Sequence, residues 1–198
     1  MKHLQINSLQ RFLLFVYSPL LLPSIILFLL SSKRNIVLSD IQAKYTGDSP
    51  TLKHLCFMLV KDKSFRNLFY FRLGTVGKIL SLFLPRNSDT FIKPSLKLGK
   101  GCRFVHAHCT HINCNKIGEG LIIYHCVTIG GINGGTPIIG NNVSIGCNTC
   151  ILGDIKIGNN VKIGAGSVVT KNVPDNCTVV GNPAIIVKRN GEKVCEKL

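Results

Sequence analysis

From Ile139 to Val169 the chain repeats every six residues: Ile139, Ile145, Ile151, Ile157, Ile163 and Val169 are aliphatic, and four of them are followed at once by Gly. The fifth position of each unit holds Val143, Thr149, Ile155, Val161 and Ser167, all small or β-branched. A helix needs apolar residues three and four apart, and a half-buried strand needs them two apart. A strict period of six fits neither alone. It fits a short strand and a corner repeated in register, the signature of a solenoid. One aliphatic side chain per unit then points into a shared core. The residues that follow (Gly140, Asn141, Asn142; Gly158, Asn159, Asn160) can take the positive φ of a tight corner.

The repeats begin less regularly at Leu98-Gly99 and Phe104, slip by one residue near His111, and resume at Ile117-Gly118. Between Ile129 and Ile139 the spacing is ten, so four residues are inserted around Ile132-Asn133-Gly134-Gly135. An insertion must leave the coil as a loop, and such loops commonly line sites. The regular coils end near Pro174, after which Gly181-Asn182-Pro183-Ala184 turns into a short apolar strand. The segments expected are an apolar stretch over 1–35, a helical part over 36–90, the solenoid over 91–187 and a charged tail over 188–198.

The helical reading rests on two apolar stripes. Leu52, Leu55, Cys56 and Leu59 form one; Phe65, Leu68, Phe69, Val76, Leu80 and Phe83 form the other, ended by Pro85. Ser39-Asp40-Ile41-Gln42 has capping-box spacing. Before them, Phe12 to Leu30 carries no charge and is flanked by Arg11 and Lys33-Arg34, just long enough to span a bilayer, although Pro19 and Pro23 would kink a helix there. Residues 12–30 are expected to attach the protein to a membrane.

Lys and Arg total 24 against 9 acidic residues, a net charge of +15, which implies anionic partners. Nucleic acid is not among them: no recognition motif appears and the basic residues scatter. The nine Cys are odd in number and five lie in the repeats, where they read as reduced, apolar filler. A single Cys147-Asn148-Thr149-Cys150 inside a hexad is weak support for metal or redox work.

Histidine is concentrated at His106, His108, His111 and His125, four of the six in the chain. A coil of roughly eighteen residues, three hexads, would stack His125 near His106 and His108. A neutral imidazole beside a groove can take a proton from an acceptor hydroxyl near neutral pH. The alternatives are plain wall residues, or metal ligation by His106, His111 and His125. Lys171 follows a run of small residues, Ile163-Gly164-Ala165-Gly166-Ser167, along which a long cofactor could lie, and its point charge suits a phosphate or simply a solvated corner.

The run Gly118 to Ala184, with Val127-Thr128-Ile129-Gly130-Gly131, Ile163-Gly164-Ala165-Gly166-Ser167-Val168-Val169 and Gly181-Asn182-Pro183-Ala184, resembles the hexapeptide-repeat acyltransferases. It is most similar to serine O-acetyltransferases and their capsule and exopolysaccharide relatives. Asp40-Ile41-Gln42-Ala43 and Phe65 to Gly74 resemble that group's helical segment. The resemblance implies a left-handed parallel β-helix, mainly β, preceded by a small α-helical segment. It also implies a homotrimer with sites between subunits, acetyl-CoA as donor with no metal, and transfer to a hydroxyl of L-serine or of a surface-polysaccharide sugar. Carried over by position, His106 falls on the catalytic general base and His125 on a secondary site residue. Gly130, Gly131, Gly146, Cys147, Gly164, Ala165 and Lys171 fall where the family meets CoA. On the acceptor side Phe91 replaces the carboxylate that supports the base, Val105 replaces the acid preceding it, Thr136 replaces a loop histidine, and Asp48 is the acidic match left in the helical part. A sugar hydroxyl, unlike serine, needs no carboxylate for an ammonium group. The apolar N-terminus then fits a lipid-linked acceptor at the cytoplasmic face of the inner membrane. Two other classes fit the same solenoid: a zinc hydratase like the γ-type carbonic anhydrases, and a catalytically inactive trimeric binding module.

Overall fold

The computed structural model describes residues 7–45 and 49–198. They form two compact units, one running to Asn87 and the other from Ser88 onward.

The first unit is helical: α1 (Ser8–Leu30), α2 (Arg34–Gln42), α3 (Leu52–Lys61), α4 (Lys63–Leu73) and α5 (Thr75–Leu80). Asn7 caps α1, accepting the Gln10 N–H at 2.9 Å while the Gln10 side chain accepts the Asn7 N–H. The expected kink did not divide α1, which runs through Pro19 and Pro23 as one element. The capping-box reading of Ser39 to Gln42 is overturned: these residues close α2 instead of opening a helix, and Asp40 is buried against Arg72. The second apolar stripe is also broken in two. Gly74 at φ +64° ends α4 and starts α5, a conformation an L side chain rarely takes, and it turns Val76 and Phe83 outward.

Leu21 and Phe28 of α1, Ile41 of α2, Leu55, Met58 and Leu59 of α3, and Phe65, Phe69 and Tyr70 of α4 make the helical core. Three polar links cross it. The Arg72 guanidinium grips Asp40 with two bonds, Nε to Oδ2 at 2.8 Å and Nη2 to Oδ1 at 3.1 Å. The Tyr70 hydroxyl donates to the Leu84 carbonyl at 2.8 Å, and burial pushes its pKa up to about 12. Asn67, fully buried, bonds both the N–H and the carbonyl of Asn87.

The second unit is a parallel β-solenoid of about five turns. Its first face stacks β1 (Phe91–Ile92), β4 (His111–Ile112), β7 (Thr128–Gly130), β10 (Cys150–Leu152) and β13 (Val168–Val169). The second stacks β2 (Lys97–Leu98), β5 (Lys116–Ile117), β8 (Ile138–Ile139) and β11 (Lys156–Ile157). The third stacks β3 (Arg103–Phe104), β6 (Ile122–Ile123), β9 (Ser144–Ile145), β12 (Lys162–Ile163) and β14 (Cys177–Val180). The hexad aliphatics point inward: Ile123, Ile129, Ile145, Ile151 and Val169 are all at 0% exposure. Each such side chain is worth about 1.5–3 kcal/mol when buried. The two buried hydroxyls among the fifth positions are satisfied, Thr149 and Ser167 both donating to the Gly164 carbonyl.

The glycines after the aliphatics are dictated by coil stacking. A Cβ at Gly146 would lie 2.6 Å from the Ala165 nitrogen, and one at Gly140 would lie 2.7 Å from the Gly158 oxygen. Beside them run two side-chain ladders, Asn141–Asn159–Asp175 and Asn142–Asn160–Asn176, with Asn142, Asn160 and Asn176 all at positive φ.

Residues 188–198 are ordered as more than a charged tail. β15 (Ile185–Arg189) pairs antiparallel with β14, and β16 (Glu192–Lys197) pairs antiparallel with β15, extending the third face.

Removing one partner of a buried ion pair strands the other charge. Asp40→Ala is therefore expected to destabilise the helical unit by about 3–5 kcal/mol, read as an earlier loss of helical circular dichroism in denaturant.

Candidate active site

The solenoid has three edges, and the one joining the third face to the first gathers most of the residues expected to matter. In the first coil this edge is Val105 to Thr110, the stretch between β3 and β4; in the second it is Tyr124 to Val127. Then come Gly146 to Thr149, Gly164 to Ser167, and Gly181 to Ala184. Backbone hydrogen bonds step along it: Cys126 N–H to the His108 carbonyl, Asn148 N–H to His125, and Gly166 N–H to Cys147. Cys109, Cys126, Asn148 and Gly166 take the left-handed conformation at successive levels. His106, His125, Gly146, Cys147, Gly164 and Ala165 therefore share one edge. With a coil step of about 4.8 Å, three steps from His106 to Ala165 cover ~14 Å.

The first corner is longer than the others. Paired strands are offset by 19 residues at Arg103–Ile122 and by 17 at His111–Thr128, where regular coils are offset by 18, as at Ser144–Lys162. The slip near His111 is thus an enlarged corner before that residue and a shortened one after it. The enlargement projects His106, at φ +49°, and His108 into solvent on either side of the fully buried Ala107.

This corner is tied from every side. The Thr90 hydroxyl donates to the Ala107 carbonyl at 2.6 Å and the Thr110 hydroxyl to the His108 carbonyl at 3.0 Å. The His106 carbonyl accepts both the His108 N–H and His108 Nδ1, each at 2.7 Å. Because a carbonyl only accepts, His108 carries its proton on Nδ1 in that bond and leaves Nε2 open. Its ring stacks on His125 at 5.0 Å with an interplanar angle of 5°. His125 is half-buried, with Nδ1 enclosed and without a partner among the described residues. The His106 imidazole is exposed at the tip.

Asp89 is the residue that reading the sequence missed. Its Oδ2 accepts the Cys109 N–H at 3.0 Å and the Cys109 thiol at 3.5 Å, closing the enlarged corner from below. The Cys109 backbone bond holds the Asp89 carboxyl below the usual carboxylate range, and the hydrogen bond to Asp89 raises the Cys109 thiol. The available signal was an acid two residues before Phe91. Phe91 itself, where the resemblance expects a supporting carboxylate, stacks on His111 at 4.5 Å. His111 and His125 are thus committed to different ring partners. Among the described residues no group of three or more His, Cys, Asp or Glu is arranged to hold a metal ion.

Other expected residues lie elsewhere. Gly130 ends β7 and Gly131 follows it on the edge between the first and second faces, and Thr136 is beside them, half-buried. The inserted residues form a two-residue hairpin: Ile132 and Gly135 exchange both backbone bonds at 3.1 Å, with Asn133 and Gly134 at φ +52° and +86°. Positive φ at both central positions is the primed turn that Asn-Gly favours. A Cβ at Gly131 would lie 2.2 Å from the Gly135 oxygen, and one at Gly135 would lie 2.4 Å from the Asp154 Cβ. Lys171, past the end of β13, donates to the Leu198 carbonyl at 2.7 Å beside a cleft of about 160 Å³ lined by Val168, Pro183 and Ala184. Val105 is half-buried and its N–H serves the ladder to Ile123. Asp48 lies outside the described residues.

Stacked parallel coils with a histidine-bearing edge define a hexapeptide-repeat protein, and residues 136–171 match the family model "Bacterial transferase hexapeptide (six repeats)". The chain is 39% identical over 175 residues to the serine acetyltransferase of Buchnera aphidicola (Schizaphis graminum), covering 78% of this chain and 65% of that protein. It is 45% identical to the putative colanic acid biosynthesis acetyltransferase WcaB of Escherichia coli K12, covering 66% of this chain and 82% of that one. Among solved structures, serine acetyltransferase from Brucella abortus superposes with a TM-score of 0.66 at 32% identity, covering 82% of this chain and 70% of that chain. A serine acetyltransferase in complex with CoA superposes with a TM-score of 0.63 at 29% identity, covering 77% and 68%. The chain belongs to the serine acetyltransferase-like family of hexapeptide-repeat proteins. It spans less than two-thirds of the length of the Buchnera enzyme.

A carboxyl whose pKa is lowered on folding adds stability above its unfolded pKa and loses it as pH falls through the native value. The Asp89 clamp therefore holds at neutral pH and releases only in acid. Asp89→Asn should relieve the Cys109 thiol, so that Cys109 is alkylated about threefold faster or more near neutral pH; peptide mass mapping of the labelled cysteines reads this, and an unchanged rate would show that Asp89 does not hold the thiol.

Proposed function

We propose that the protein is an acetyl-CoA-dependent O-acetyltransferase in which His106 is the general base. The observation that carries this reading is the shared edge: His106 and His125 head the same column of corners as Gly146, Cys147, Gly164 and Ala165, the positions at which the resemblance expects CoA. The relative solved with CoA supports that donor. A ring nitrogen of His106 takes the proton of an acceptor hydroxyl as that oxygen attacks the thioester carbonyl. The tetrahedral oxyanion is met by backbone N–H groups; its collapse expels the CoA thiolate, which recovers the proton from the imidazolium.

The glycines on the edge are required by coil stacking, so glycine at 146 and 164 is not by itself a sign of a ligand. What supports CoA there is the alignment of small residues with the histidines. Lys171, held by Leu198 in this chain, would have to exchange that carbonyl for a phosphate.

For the acceptor we favour a sugar hydroxyl of a surface polysaccharide over L-serine. The carboxylate that bonds to the histidine corner, Asp89, is already engaged by Cys109, while Phe91 and Val105 offer no charge to an ammonium group. Similarity to WcaB, a putative colanic acid biosynthesis acetyltransferase, supports the same choice. The reading includes a homotrimer, a cytoplasmic location where acetyl-CoA is available, and attachment through residues 12–30 to the membrane that carries a lipid-linked acceptor.

Thiol release from acetyl-CoA with L-serine and with a panel of sugars and nucleotide sugars tests both parts. Turnover is expected with a sugar and not with serine, and His106→Ala should lower it at least about a hundredfold. Near-normal rates in that variant would sink the base assignment; turnover with serine alone would reverse the acceptor.

A further inference from the structure

α1 has two unlike faces. Leu14, Tyr17, Leu21, Ser24, Ile25 and Phe28, spaced by three and four, pack into the core of the helical unit. Ser24 is 1% exposed and lies beside the Tyr70 hydroxyl of α4, and Tyr17 lies near the buried Arg66 guanidinium of the same helix. The opposite face is open to solvent and mostly apolar: Phe12, Phe15, Leu22, Ile26, Leu29 and Leu30, with Phe15 and Leu30 at 77% and 78% exposure, interrupted by Ser18, whose hydroxyl donates to the Phe15 carbonyl.

Length and hydropathy alone would make α1 a span. Its packing argues otherwise. To cross a bilayer α1 must either leave the core, stripping Leu21 and Phe28 from Leu55, Leu59 and Phe69, or draw α4 with Arg66 and the Asp40–Arg72 pair into hydrocarbon. A helix lying flat keeps its packed face and buries only the other. The charges suit a particular surface. Between Asn7 and Ser39 there is no acidic residue, Arg11 flanks the open face, and Lys33 and Arg34 follow its end, in a chain of net charge +15.

Resting on the reading above that residues 12–30 attach the protein to a membrane, we infer that α1 is an in-plane anchor, its Phe12–Phe15–Leu22–Ile26–Leu29 face sunk into one leaflet of an anionic bilayer while its Leu21–Ser24–Phe28 face stays in the protein. The anchor is monotopic, so both ends of α1 lie on the same side of the membrane.

The chain contains no Trp, so a single introduced Trp is a clean reporter of depth. The protein carrying Phe12→Trp, Leu22→Trp or Leu29→Trp, each on the open face, is mixed with vesicles of phosphatidylglycerol and phosphatidylcholine containing lipids brominated at defined depths. An in-plane helix gives one shallow depth for all three reporters. A span places Leu22 near the bilayer centre and Phe12 and Leu29 about 10 Å or more nearer the surfaces, and that profile would overturn the inference while leaving membrane attachment standing. Binding should be at least about tenfold weaker to pure phosphatidylcholine, and the Phe15→Glu/Ile26→Glu variant should float with neither vesicle. If the wild-type protein ignores anionic vesicles and instead self-associates through this face, attachment and in-plane anchoring both fail, and a second copy is the occupant.

Discussion

The stacking of one coil directly on the next governs the solenoid. Parallel coils sit about 4.8 Å apart, so anything at a corner must fit against the same corner one level away. Gly140 and Gly146 have no room for a Cβ because backbone of the next coil is there. The asparagines beside them survive because each side chain bonds the next in its column. Inside, one aliphatic per hexad fills the core. Core, corner and ladder are three expressions of a single repeat distance.

Departures from that regularity are confined to places where the chain can leave the stack outward. The Asn133-Gly134 hairpin adds its residues on one edge and closes on itself, so the strands on either side keep their partners. The enlarged corner at His106 is different, since it stays against the solenoid and needs fastening. Thr90, Thr110, Asp89 and the His106 carbonyl supply it. The result is a rigid mount that holds two imidazoles outward, one of them with its tautomer set by a backbone carbonyl. Such positioning is what the general-base role proposed for His106 would require.

The helical unit solves a separate problem, burying charge and hydroxyl groups among apolar helices. Asp40 and Arg72 pair in two bonds, Tyr70 finds the Leu84 carbonyl, and Asn67 satisfies the backbone at Asn87. These links fix α4 in place, with the Asp40–Arg72 pair tying it to α2, and Ser39 to Gln42 does not begin a helix because α2 already runs from Arg34 through Gln42. They also give α1 a side to keep, which makes its two faces unequal.

The six-residue period alone determined that the chain coils from about Leu98 onward, which side chains point inward, and that the insertion after Gly131 leaves the coil, because burial and corner geometry are properties of each hexad. It did not determine which hexads share an edge. Every hexad resembles the others, so face assignment depends on register summed from the start, and an enlarged corner or a hairpin shifts all that follows. A coil of roughly eighteen residues already stacked His125 near His106 and His108, and Gly146 and Gly164 were assigned by resemblance, while only the tertiary structure placed all of them in one column and set Gly130, Gly131, Thr136 and Lys171 apart. Asp89 was invisible for the same reason: its partner Cys109 is twenty residues on, and nothing but the stacking of the first two coils brings them together.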